Sequence, residues 1–186
     1  MTARGSRSMT TANSFPDPEQ LLDAAEILID HGTHPGHWRR SISSSYYAAF
    51  HAITGSGAAL IFQEDLVADR GRRWFQHRAI AAIAQAVTSA KLEEDWRRLG
   101  FAEQPSNSIA VTCQKLVSLQ RRREDADYAA PTTGPPRATE ARKALADARA
   151  ICEDVQAYAA HPANEQFVTV VAEMMSRSVE RTRHRN

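Results

Sequence analysis

The chain has very little lysine. Lys occurs only at positions 91, 115 and 143, so nearly all of its 23 basic residues are Arg, set against 22 acidic ones. A formal net charge of +1 rules out a global field drawing in nucleic acid, so any basic patch must be local. Arg is the better bidentate phosphate ligand, although genome composition produces the same bias. Cysteine is almost absent: Cys113 and Cys152 show no metal-ligand spacing, lie on apolar helix faces, and read as small buried hydrophobes of a reducing compartment. No run approaches the ~18 apolar residues of a membrane helix, and Met1 to Phe15 lacks the hydrophobic stretch of a signal peptide. The expectation is a soluble cytoplasmic protein with no membrane partner. Period-2 alternation of useful length is also missing, which leaves an all-α fold.

What is present supports one domain with a sizeable core: 186 residues, 42% hydrophobic and 24% charged. Residues 1–16 read as a disordered Ser/Thr/Arg-rich tail, with Met1 and Met9 both open as starts. Residues 17–162 read as an antiparallel bundle of four to five main helices, and 163–186 as a C-terminal helix with a basic, fraying tail. Asp17-Pro18-Glu19-Gln20 is a helix start, followed by the apolar face Leu21, Leu22, Ala25, Leu28 and Ile29, with Gly32 as the stop. His31, His34 and His37 recur at spacings of three, but Gly32, Pro35 and Gly36 interrupt them and no carboxylate or Cys completes a set. They read as a solvated loop rather than a metal site.

A second helix is predicted from Trp38 to Phe62. Gly55 and Gly57 within it weaken it by roughly 1 kcal/mol each and allow close packing or a kink. A polar connection over Gln63–Gly71 precedes a third helix, Arg72–Ala90, that buries Trp74, Ile80, Ile83, Ala84 and Val87. A short helix over Leu92–Leu99 is closed by Gly100. The fourth long helix opens at Pro105-Ser106-Asn107 and runs to Tyr128, with Ile109, Cys113, Leu116, Val117 and Gln120 at helical spacing. Ala129–Arg137 is a Pro/Gly loop. Thr139 caps a fifth helix to Ala160, and a last helix covers Asn164–Val179.

The second helix carries an unusual face. At about 100° per residue, Ile42, Tyr46, Ala49 and Ile53 form a core stripe, while Arg40, Ser44, Tyr47 and His51 line up on the opposite side. A solvated face more often carries Lys and Glu. Two further clusters accompany it. Arg72-Arg73-Trp74-Phe75-Gln76-His77 would set Arg73 and His77 one helical turn apart, and Arg121–Tyr128 would place Arg123 and Asp127 at i,i+4. Each has a plainer reading: Tyr47 and His51 as a hydrogen-bonded core pair, and Arg123–Asp127 as a local helix pair contributing only ~0.3–0.5 kcal/mol.

Taken in order, Arg40-x5-Tyr46-Tyr47-x2-Phe50-His51, then Arg72-Arg73-x-Phe75-x-His77, then Leu119-Gln120 followed by Arg123-x2-Ala126-Asp127-Tyr128, the motifs resemble the HEPN superfamily, in particular its YYAxFH-bearing branch. The resemblance covers about residues 19–160. It implies a helical bundle, usually dimerised so that polar faces of two protomers meet in a cleft. It also implies a metal-independent endoribonuclease of toxin–antitoxin or defence systems, or a non-catalytic module that binds RNA or nucleotide, or one that partners a minimal nucleotidyltransferase. No cofactor or metal is called for. Catalytic members carry a late Arg, then four to six intervening residues, then His, whereas Arg123 here is followed by Glu124, Asp125, Ala126, Asp127 and Tyr128. Arg72-x4-His77 fits the literal pattern on an earlier helix.

Such cleavage uses the ribose 2′-hydroxyl as nucleophile, a His as base or acid, and a cation at the pentavalent phosphate. The candidate catalytic residues are therefore His51, His77 and Arg123. Arg40, Tyr47, Arg72, Arg73, Asp127 and Tyr128 are candidates for holding RNA or nucleotide.

Overall fold

The structure, a computed structural model, describes residues 15–62, 64–91, 93–128, 137–161 and 165–183. The tail expected over residues 1–14, the loop over 129–136, positions 63, 92 and 162–164, and the last three residues lie outside the described residues. Among the described residues there are eight helices and no strand: α1 Pro18–Asp30, α2 Pro35–Ile61, α3 Asp65–Arg72, α4 His77–Ser89, α5 Glu93–Arg98, α6 Asn107–Tyr128, α7 Ala138–Ala160 and α8 Glu165–Arg183. The all-α bundle expected from the periodicity is what forms.

Helix α1 begins as its residues dictate. The Asp17 carboxylate accepts the Glu19 N–H at 3.1 Å, Pro18 takes the first position where its missing N–H costs nothing, and Leu22, Ala25 and Ile29 are buried. Helix α2 forms the axle, packing against α1, α3, α6, α7 and α8. It starts at Pro35 rather than Trp38, again with proline at its N-terminus. The predicted stripe Ile42, Tyr46, Ala49 and Ile53 is fully buried, and so are Ser41, Ser43 and Ser45. These small hydroxyls let neighbouring helices approach because their bonds are met nearby. Ser41 Oγ donates to the Ala25 carbonyl at 2.8 Å, and Ser45 Oγ to the Ser41 carbonyl at 2.9 Å.

Gly57 is where α8 crosses α2. A Cβ there would lie 2.2 Å from Val171 Cγ1, so only glycine fits this packing. Through it Phe167, Val170, Val171 and Met174 join the common core. Helix α8 continues past Val179 to Arg183, and Ser178 is buried, accepting the Gln76 N–H at 3.0 Å. The expectation of a fraying segment from Arg177 onward is therefore corrected. Cys113 and Cys152 are buried free thiols, both pushed up to about 12 by burial.

Four further expectations need correction. The polar connection before Gly71 is helical from Asp65 onward as α3. The helix expected over Arg72–Ala90 is broken: α3 ends at Arg72 and α4 begins only at His77. The cause is tertiary. A Cβ on Gly71 would come within 2.3 Å of the Phe62 ring, so α3 closes directly over that ring and the chain must turn before it can enter the core again. Trp74, expected inside, is 49% exposed and meets Phe62 edge-on at 5.8 Å, while Phe75 takes the buried place. Finally, Arg137 rather than Thr139 precedes α7, with the Glu140 carboxylate accepting the Arg137 N–H at 2.9 Å.

Candidate functional site

The middle of α2, the end of α6 and the first residue of α4 meet in a half-buried polar cluster. Arg39 Nη1 donates to the Ala126 carbonyl at 2.5 Å, tying the last turn of α6 to α2. One turn further along α2, Ser43 Oγ donates to Asp127 Oδ1 at 2.6 Å. The other Asp127 oxygen lies 2.7 Å from Arg123 Nε. That N–H is not aligned on the carboxylate and has no hydrogen-bond acceptor among the described residues, so the contact is an ion pair by proximity. Arg123 Nη2 donates to the Tyr47 hydroxyl at 3.2 Å. The guanidinium carbon stands 5.8, 5.7 and 5.5 Å from the ring centroids of Tyr46, Tyr47 and Tyr128, within cation–π range of all three. Burial alone would ease the proton off Arg123, but the Tyr47 and Asp127 oxygens outweigh it and raise its affinity.

Beside the guanidinium lies His77. Its Nδ1 is 2.8 Å from the hydroxyl of fully buried Tyr46, and its ring centroid is 4.0 Å from Phe50 and 5.6 Å from Tyr47. Burial raises the Tyr46 phenol well above its ordinary value, so it stays protonated. Burial, then the Arg123 charge, lower the proton affinity of His77. Tyr47 also faces His51, with ring centroids 6.4 Å apart. Its Nδ1 is buried with no partner among the described residues. Burial, followed by the Arg72 and His77 charges, holds His51 down to about 4. Both rings are therefore neutral at physiological pH.

The structure brings several of the candidate residues together. Tyr47 stands within ring contact of His51, His77 and the Arg123 guanidinium at once. The Arg123–Asp127 pair forms as expected of i,i+4 residues, and Tyr128 covers the guanidinium from outside, 74% exposed. Arg40 is exposed; the polar contacts from this end of α2 come from Arg39 and Ser43 instead. Arg72 and Arg73 stand apart from Arg123, over the Phe15 ring at 4.3 and 5.8 Å. Arg73 and His77 do not share a helical face, because the break between α3 and α4 falls between them.

Sequence reasoning missed Arg39, Ser43 and the role of Tyr46. Tyr46 carried a usable signal: a tyrosine on an otherwise apolar stripe needs a partner for its hydroxyl when buried. Elsewhere, the His34 and His37 rings stack at 3.8 Å and His37 Nδ1 accepts the Thr33 N–H at 3.1 Å. No three His, Cys, Asp or Glu converge as metal ligands among the described residues. Nor is any helix among them long and apolar enough to cross a membrane. No family model, curated protein or solved structure matches this chain. The likeness to HEPN domains therefore rests on the motifs quoted above.

Proposed function

We propose that the protein is a HEPN-like domain that binds RNA or nucleotide at the Tyr47–Arg123 cluster. The observation that carries this reading is one guanidinium ringed by three tyrosines, with two neutral histidines on the same flank. A guanidinium recognises a phosphate through paired donors, and an exposed tyrosine such as Tyr128 offers a stacking face that every base can use. Asp127 orients Arg123 and part-neutralises it, so the cluster favours selective contact over indiscriminate attraction to polyanions.

Binding is better supported than cleavage. Metal-independent strand scission needs both a proton acceptor and a proton donor near neutrality. The two rings here hold protons weakly, and the late His of catalytic HEPN sequences is replaced by Tyr128. The biological setting, as a toxin–antitoxin or defence component acting as a homodimer, follows from the resemblance. A second reading, a module that docks a nucleotidyltransferase or other protein, is favoured by three exposed large apolar side chains on and just after α3, Leu66, Val67 and Trp74, which are 73%, 39% and 49% exposed.

The test is anisotropy of a labelled single-stranded RNA with wild type and Arg123→Ala, alongside incubation of the RNA in EDTA with wild type, Arg123→Ala and His51→Ala. Binding by wild type and a loss of about tenfold or more for Arg123→Ala are expected. Absence of RNA binding by wild type, or equal binding by both proteins, would reject the reading. Scission in EDTA that Arg123→Ala and His51→Ala both abolish would move it from binding to catalysis.

A further inference from the structure

Five arginines of the described residues are half-buried: Arg39, Arg72, Arg122, Arg123 and Arg149. Four have an oxygen partner. Arg39 donates to the Ala126 carbonyl at 2.5 Å, Arg122 meets Asp147 at 2.5 Å, Arg123 meets Asp127 at 2.7 Å, and Arg149 meets Glu26 at 2.8 Å. Arg72 differs. It forms no ion pair among the described residues, its buried Nε has no hydrogen-bond partner there, and its guanidinium lies 4.3 Å from the centroid of the Phe15 ring. Asp69, three residues earlier in α3, acts on it electrostatically without reaching ion-pair contact. A partly desolvated cation with no anion in contact is costly, and folds ordinarily neutralise such a charge.

Arg72 also borders a cavity of about 510 Å³, whose other polar walls are Asp17, Gln20, His51 and Ser56, with Phe15 also in its lining. That volume falls within the ~300–1,000 Å³ usual for small-molecule sites. His51 contributes a second unsatisfied atom, its buried Nδ1. Gly55 belongs to the same wall, and a Cβ there would sit 3.3 Å from Arg72 Nη2, so the guanidinium lies directly on the α2 backbone. Asp17 forms no ion pair with Arg72 among the described residues, and its Oδ1 accepts the Glu19 N–H as the cap of α1.

We infer that this cavity binds a phosphate monoester, whose oxygens supply the counter-charge that Arg72 lacks and accept from His51 and Ser56. A planar guanidinium held on a ring keeps its fork oriented, which suits two oxygens of one phosphate. The site stands on Arg72 and the cavity walls and does not depend on the Arg123 cluster. The phosphate could belong to a free mononucleotide or to the end of an RNA chain, and the experiment separates these sources.

Calorimetric titration of the full chain compares AMP with adenosine, and a 5′-phosphorylated RNA oligonucleotide with its 5′-hydroxyl twin. The phosphate is expected to strengthen binding by about tenfold or more in at least one pair, and Arg72→Gln is expected to collapse that gap. A gap for AMP alone assigns a free nucleotide, and a gap for RNA alone assigns a chain end. A gap for AMP without any RNA binding, kept in Arg123→Ala and lost in Arg72→Gln, retains this pocket while rejecting the Tyr47–Arg123 cluster as the binding site. Should Arg72→Gln misfold, Arg123→Ala decides: AMP raises its melting temperature with concentration and adenosine does not, whereas no AMP effect on Arg123→Ala overturns the inference. No gap in either pair, or a gap that survives in folded Arg72→Gln, overturns the inference.

Discussion

The two halves of α2 solve the same problem by opposite means. From Arg39 to His51 the helix packs through polar atoms: Ser41 to α1, Ser43 to Asp127 of α6, Tyr46 to His77 of α4, Tyr47 to Arg123. From Ile53 onward it packs by absence, with Gly57 admitting Val171 and Gly55 admitting Arg72. The first half specifies which side chains face each other; the second only sets how closely backbones approach. Functional groups accordingly gather along the first half and spill into the second only where Arg72 crosses it.

The largest expected effect comes from filling the second half. Gly57→Ala would force a methyl into Val171, and overpacking of this kind costs about 3 kcal/mol. The melting temperature should fall by roughly 6–12 °C at about 2–4 °C per kcal/mol for a chain of this size. Adding Val171→Ala should recover more than it loses on its own, and a simple additive loss would refute the contact. Next comes the first half: Tyr46→Phe leaves His77 Nδ1 without its partner, for a loss of about 1–2 kcal/mol by denaturant titration. A smaller loss than for an exposed control such as Tyr128→Phe would mean the bond carries nothing.

The pH dependence sharpens the polar half further. His51 is lowered in the folded protein from 6.5 to about 4, so between those values the unfolded chain binds more protons than the native one. Its contribution is fully present above pH 6.5 and is lost as pH falls toward 4. Because the ring is only partly buried, solvent screening holds the loss to on the order of 1–2 kcal/mol. His51→Gln should flatten stability over that window, and an unchanged profile would assign the slope elsewhere. The smallest effect is expected at Gly55→Ala. Its methyl meets only the flexible tip of Arg72, and the roughly 1 kcal/mol gained in helix propensity offsets the displacement. A change within ±0.5 kcal/mol would set it apart from Gly57, two residues away.

How much of this was legible beforehand divides along similar lines. The core register of α2 followed from period 3.6, and the Arg123–Asp127 pair from i,i+4 spacing, because both are local rules. The break between α3 and α4 was not legible, since Arg72–Ala90 keeps an apolar period throughout. What interrupts it is the Phe62 ring resting on Gly71, a contact between segments. Trp74 was misplaced for the same reason, having been assigned to a helix that does not exist there. Ser43 was passed over because a serine inside a helix reads as a mild liability; only the arrival of Asp127 from α6 turns it into a partner. The site is therefore half written in spacing and half in topology.

The bond between Tyr46 and His77 fixes more than a position. The phenol hydroxyl is fully enclosed, and His77 Nδ1 is its hydrogen-bond partner among the described residues. If Nδ1 carried the hydrogen, the phenol hydrogen would be stranded in the core, so the phenol donates and the imidazole is locked as the Nε2–H tautomer. The ring's lone pair is thus spent on the phenol, and the N–H left over sits on Nε2 at every pH where the ring is neutral.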